Sequence, residues 1–233
     1  MAKDKKTICI QDLRRRILTQ RIAPGSDLDE AALCEEYGLS RTPMREIFQR
    51  LHGEGYLQLE QNRGPKVASM DLGVMRMFFQ TAPVIYANVA RLAAENRQLD
   101  QLPLLKEIQA EFRVAMEASD TESATFLNHR FHEQIGMMAH NPYLLVALKR
   151  MLIDHTRLSQ TFYRPRSEDE AHRVAVAVAH HDGMISAIEN QNPEQVVALT
   201  LDHWNLSRDR LERYVMPVPL PLDAIPAEDA RYG

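Results

Sequence analysis

The chain has 233 residues, 45% hydrophobic and 26% charged, with a formal net charge of −4; that is apolar enough for one large or two ordinary packed domains and excludes a disordered or fibrous chain. No run approaches the roughly 18 apolar residues of a membrane span, and the opening MAKDKKTICIQDLRRR lacks the apolar segment of a secretory signal, so a cytoplasmic protein is expected. The first 70 residues carry 12 Lys+Arg against 10 Asp+Glu and the remainder 16 against 22; because phosphate neutralisation depends on local cations, the net acidity does not exclude DNA binding.

In chain order, the first amphipathic stretch sets Ile10, Leu13 and Ile17 on one helix face beside the basic run Arg14, Arg15 and Arg16. Cys9 and Cys34 are too few for a disulfide framework and read as reduced thiols. After the Pro24-Gly25 turn, DEAALCEEYG predicts a short helix, with Asp29 as N-cap and Gly38 as its stop. Ser40 caps the next helix, Pro43 sits in its first turn, and Met44, Ile47, Phe48 and Leu51 repeat at core spacing. YLQLE and PKVAS then flank the turn residues Asn62, Arg63 and Gly64 as a hairpin.

From residue 71 the pattern is helical throughout, with helices predicted at 72–97, 101–118, 121–140, 142–163, 168–190 and 193–214. Pro142 and Pro193 mark helix starts, YRPRSE breaks the chain, and Pro83 is expected to kink or split the first helix. The final MPVPLPLDAIPAEDARYG holds four of the twelve prolines and reads as an extended tail. The expected fold is mainly α: a winged helix-turn-helix over 1–70, an all-helical effector-binding and dimerisation bundle over 71–215, and a Pro-rich tail over 216–233.

On the helix opened by Ser40, the side opposite the apolar face carries Arg41, Thr42, Arg45 and Gln49, with 41, 45 and 49 stacked at i, i+4 and i+8. Arginine near the start of a recognition helix can pair with guanine O6 and N7 in the major groove, and Thr42 can reach a phosphate or a thymine methyl. Gly64 lets the wing backbone approach DNA closely, Arg63 touches the minor groove or a phosphate, and Arg14 adds a phosphate contact. LSRTPMREIFQRLHGEGYLQLEQNRGPKV resembles the signature of GntR-family winged-helix repressors and activators, and the likeness extends upstream through PGSDLDEAALCEEYGLS. The resemblance implies that Arg41 and Arg45 read bases, that Asn62 to Gly64 contact the minor groove, and that Ala31 stands where some relatives carry a further DNA-contacting arginine.

In NHRFHEQIGMMAHNPYLL, Asn128 and His132 project from one helix face, while His181 and His203 belong to the two following helices. Imidazoles with one amide oxygen suit Zn²⁺, Ni²⁺, Fe²⁺ or Mn²⁺; histidines on a mixed face also occur as hydrogen-bonded core residues. Residues 72–214 resemble the effector domain of the FadR subfamily, abbreviated FCD, and the six-helix count is similar to its VanR-type branch. That resemblance implies a divalent transition metal at Asn128, His132, His181 and His203, with Asn128 in place of the usual aspartate, and a small organic carboxylate at an open coordination position. Ala82 and Tyr86 stand where the family commonly has an arginine and a glutamate, so Tyr86, Arg130 and Arg157 are the candidates for effector contact.

The leading reading is a ligand-responsive homodimer on a short inverted repeat of operator DNA, without membrane association or enzymatic activity. A metalloenzyme with an accessory DNA-binding module is the rival from another class. His132-Glu133 begins an H-E-x-x-H motif, but Gly136 stands where the second histidine belongs, and no nucleophile elbow or phosphate loop is present. A bundle that only dimerises is the third.

Overall fold

The computed structural model describes residues 2–60 and 63–215. Three helices open the chain, α1 (Ala2–Leu18), α2 (Glu30–Tyr37) and α3 (Arg41–Glu54), followed by strands β1 (Leu57–Leu59) and β2 (Pro65–Val67). The strands pair antiparallel, Leu57 opposite Val67 and Leu59 opposite Pro65. Six further helices follow: α4 (Leu72–Asn96), α5 (Leu102–Glu117), α6 (Thr121–Met138), α7 (Pro142–Phe162), α8 (Glu168–Glu189) and α9 (Pro193–Val215). Helix placement thus follows the periodicity of the sequence to within one or two residues at most ends. The Pro-rich stretch 216–233 and Asn62 lie outside the described residues.

Local chemistry explains the first unit. The Asp29 carboxylate accepts from the Ala31 and Ala32 amides, and Gly38 closes α2 in the left-handed conformation at φ 58°. Ser40 has the extended backbone of an N-cap, but its hydroxyl makes no capping bond, a departure from the expected cap. Ile10, Leu13 and Ile17 of α1 bury against Met44, Ile47, Phe48 and Leu51 of α3 and against Leu57 and Val67 of the hairpin. Both thiols are free and Cys9 is buried; burial pushes its pKa up to about 12, keeping it an unreactive thiol.

The larger core brings α4, α6, α7, α8 and α9 together around Phe78, Tyr86, Phe131, Leu148, Leu152, Met184, Ile188 and Trp204. Pro83 lies inside α4 without splitting it, so of the two expected outcomes the split does not occur. An interior proline costs about 3 kcal/mol, whereas each large apolar side chain fully buried contributes about 1.5–3 kcal/mol. α4 buries Met75, Phe78, Tyr86 and Val89 on the same face, so packing outweighs the lost backbone bond. Gly136 is explained by the α6–α7 crossing: a Cβ there would lie 2.4 Å from Leu148 Cδ2. The residue that breaks the protease-like motif is therefore a packing contact.

α7 joins the two cores. Ile153 packs into the winged-helix core, and the fully buried Arg157 donates to the Ala68 carbonyl at 3.0 Å and to Asp154 at 3.3 Å. The Gln20 amide donates back to the Arg157 carbonyl at 2.8 Å. Arg150 lies across Gly55 at the end of α3, where φ is +92° and a Cβ would stand 2.4 Å from Arg150 Cδ.

Candidate functional site

α3 presents Arg41, Thr42, Arg45 and Gln49 to solvent, since the buried set Met44, Ile47, Phe48 and Leu51 takes the opposite face. Arg45 Nε stands 3.2 Å from Glu30 Oε1 with its side chain still 67% exposed; so open a pair is worth little. At the hairpin, Arg63 is exposed and pairs with Glu60 at 2.9 Å. Gly64 is exposed, and a Cβ there would meet only the Leu28 carbonyl at an ordinary 3.7 Å. Among the described residues nothing crowds position 64 closely enough to demand glycine. Asn62 of the same expected contact lies outside the described residues.

Arg14 is part-buried and paired. Its Nε donates to Glu54 at 3.0 Å and its guanidinium lies 5.8 Å over the Tyr56 ring. Burial works against the Glu54 charge, but the hydrogen bonds from Arg14 and Arg50 outweigh it and hold this carboxyl below its ordinary range. Arg15 pairs with Glu122 of α6 and Arg16 with Glu36. The basic run of α1 is therefore engaged in ion pairs within the protein, Arg14 with Glu54.

In the bundle each of the six helices sends one polar side chain to the same centre: Tyr86 from α4, Gln109 from α5, His132 from α6, His155 from α7, His181 from α8 and His203 from α9. One ring nitrogen of each of His132, His181 and His203 lies within 4.8 Å of the other two, close enough to share a metal ion. His132 Nε2, His181 Nε2 and His203 Nδ1 are buried without hydrogen-bond partners. Orphaned polar atoms of this kind are costly unless a ligand satisfies them. Tetrahedral coordination at about 2.1 Å places nitrogens about 3.4 Å apart, so small side-chain rotations close this set, and the donor type fits a borderline divalent ion.

Burial, followed by the neighbouring imidazoles, holds His132 and His181 well below the ordinary histidine range. Burial and His180 bring His203 down to about 3. The three rings are thus neutral at pH 7, as ligation requires. Aromatic rings pack against them: Phe131 stacks on His181 at 4.1 Å, and Tyr86, itself met edge-on by Trp204 at 4.8 Å, lies edge-on to His132 at 5.4 Å.

Other expected members of this centre sit differently. Asn128 is buried, but its Oδ1 accepts from the Tyr163 hydroxyl at 3.0 Å and its Nδ2 donates to Ser159 at 3.4 Å. The amide is held in a hydrogen-bond network, whereas the three histidines keep nitrogens without a partner among the described residues. Tyr86 reaches the centre, its hydroxyl 2.9 Å from His155 Nδ1. Arg130 is exposed on the outer side of α6 and pairs with Glu111 at 3.3 Å, and Arg157 serves the junction with the winged helix. Neither belongs to the histidine centre, because each projects from the opposite side of its helix. His155 and Gln109 carry no spacing motif, and only the convergence of helices reveals them.

An arginine-presenting winged helix joined to a helical bundle with a polar centre defines a transcription regulator of the bacterial two-part kind. Residues 8–67 match the bacterial regulatory proteins of the gntR family, and residues 84–206 match the FCD domain. The chain belongs to the GntR family, with an N-terminal GntR helix-turn-helix domain and a C-terminal FCD domain, and is a DNA-binding regulator and not an enzyme. The regulator YdhC of Bacillus subtilis (strain 168) is 23% identical over 202 residues, 86% of this chain and 88% of its own. The galactonate operon transcriptional repressor of Escherichia coli (strain K12) is 24% identical over 209 residues, 78% of this chain and 90% of the repressor. E. coli McbR/YncC shares the fold, with a TM-score of 0.75 at 18% identity over 90% of this chain and 98% of that one. Among the described residues no helix is long and apolar enough to cross a membrane.

Proposed function

We propose that this regulator binds a short inverted repeat as a homodimer of FadR-subfamily type, and that a small carboxylate bound at a divalent transition metal in the FCD domain changes its affinity for that operator. Residues 1–70 form the DNA-binding part and 71–215 the effector and dimerisation part. Arg41, Thr42, Arg45 and Gln49 read the major groove, while Arg63 and Gly64, with Asn62, approach the minor groove. The observation that carries the effector reading is that His132, His181 and His203 each bring a ring nitrogen to within 4.8 Å of the other two, and that each has a buried nitrogen without a partner among the described residues.

Three neutral imidazoles leave the full charge of a divalent ion uncompensated and a coordination position open, so an anion is the favoured exogenous ligand. The metal supplies Lewis acidity toward an anionic oxygen. The chain's own residues hold it neutral-ligated, shield it with Phe131 and Trp204, and offer the Tyr86–His155 pair as hydrogen-bonding partners for a ligand. The galactonate operon controlled by one relative favours a sugar-acid type of carboxylate. The link to DNA is α7, which carries His155 toward the centre while Arg150, Ile153 and Arg157 hold the winged helix.

The test is operator titration by fluorescence anisotropy after selection of the operator from random duplex. A carboxylate that shifts the midpoint for metal-loaded protein is expected to lose its effect after chelation and in His203→Ala. A shift that survives both contradicts the metal reading. Elemental analysis that finds no transition metal after supplementation favours a bundle that only dimerises.

A further inference from the structure

Gln109 of α5 is buried, and every polar atom of its amide is engaged. Its Nε2 donates to the Val178 carbonyl at 3.2 Å and to Asp182 Oδ1 at 3.1 Å, and its Oε1 lies 3.1 Å from His181 Nδ1. The reversed amide would set its oxygen against a carbonyl and a carboxylate, two acceptors facing a third, so the orientation is dictated by its neighbours. An amide oxygen only accepts, and His181 Nδ1 must therefore carry the proton. A neutral imidazole protonated at Nδ1 has its lone pair on Nε2, the atom that is buried without a partner beside His132 Nε2 and His203 Nδ1. Asp182 in turn is held by Arg113, a partly exposed pair whose side chains are 48% and 40% accessible.

We propose that Gln109 is a positioning residue that fixes His181 as its Nδ1–H tautomer and so aims Nε2 into the histidine centre, with the Asp182–Arg113 pair setting the direction of the Gln109 amide. The consequence for a metal rests on the three-histidine reading above; the consequence for the tautomer does not. Hydrogen-bond partners behind a ligating histidine typically govern metal affinity by about 10–100-fold.

The test uses the full chain with ¹⁵N-labelled histidine. In the metal-free parent, NMR is expected to show His181 protonated at Nδ1 alone. In Gln109→Leu, which keeps size and burial, an Nε2–H population is expected, and cobalt(II) titration is expected to give a Kd about 10–100-fold weaker than the parent's. Asp182→Asn keeps an oxygen that can accept from Gln109 Nε2 and leaves Gln109 free to donate to the Val178 carbonyl; it is expected to keep the Nδ1–H tautomer and a cobalt affinity within a few-fold of the parent's. A Gln109→Leu protein that retains the pure Nδ1–H tautomer, or binds cobalt as tightly as a cobalt-binding parent, overturns the proposal. A parent that takes up no cobalt refutes the metal reading, while the tautomer populations alone then decide the role of Gln109.

Discussion

Replacing Gly55 by alanine probes the contact between α7 and the end of the recognition helix. At φ +92° an L-residue is strained by about 1–2 kcal/mol relative to glycine, and the new Cβ would stand 2.4 Å from Arg150 Cδ and 2.5 Å from its Nε. The arginine must move, which weakens its 3.6 Å pair with the buried Asp154 carboxylate; with the Arg150 side chain 41% exposed, that adds well under about 1 kcal/mol. The sum is about 2 kcal/mol, or a melting shift of about 4–8 °C for a chain of this size. Urea unfolding of the parent, Gly55→Ala, Arg150→Ala and the double variant measures it. Because Arg150→Ala removes the obstacle, the double variant is expected to be more stable than additivity predicts, by about 0.5–1 kcal/mol. Strict additivity, or a Gly55→Ala protein as stable as the parent, refutes the proposed contact between Arg150 and the α3 terminus.

Arg45→Ala is expected to weaken operator binding by about 1–3 kcal/mol and to relax preference at one base pair; unchanged affinity in anisotropy at physiological salt removes Arg45 from the reading surface. Arg14→Ala, by contrast, is expected to leave the salt dependence of DNA binding unchanged while lowering stability, because Glu54 loses its partner; a salt slope reduced by about one restores Arg14 to the phosphate contacts. Stability is expected to fall with acidification below about pH 6.5. The unfolded chain binds protons at the ordinary histidine pKa of about 6.5, whereas His203 in the folded state resists protonation down to about 3, so stability is complete above the first value and is lost between the two. At pH 5 this is about 2 kcal/mol from His203 alone, with His132 and His181 displaced in the same direction. A urea midpoint that stays constant from pH 7.5 to 5 refutes the buried neutral histidines.

The recognition helix was legible because its evidence is local. Apolar residues at 44, 47, 48 and 51 leave 41, 42, 45 and 49 on the other side of any helix. His132, His181 and His203 were legible by resemblance, and six convergent helices bring them together. What the sequence hid is long-range pairing. Arg14 looks identical as a chain residue whether a phosphate or Glu54, forty residues on, takes its charge. Arg157 lies two residues after His155, and two residues on a helix turn a side chain by about 200°. One of the pair therefore faces the polar centre and the other the winged helix, and no local spacing says which. Asn128 shows the same limit, since its partner Tyr163 is set by how α6 crosses α7.

The most direct test of the central claim is anomalous diffraction from crystals grown with zinc, recorded on both sides of the zinc edge. A single peak bounded by His132 Nε2, His181 Nε2 and His203 Nδ1, with Asn128 still bonded to Tyr163, is the expected result. An empty centre in crystals whose other sites hold zinc contradicts it.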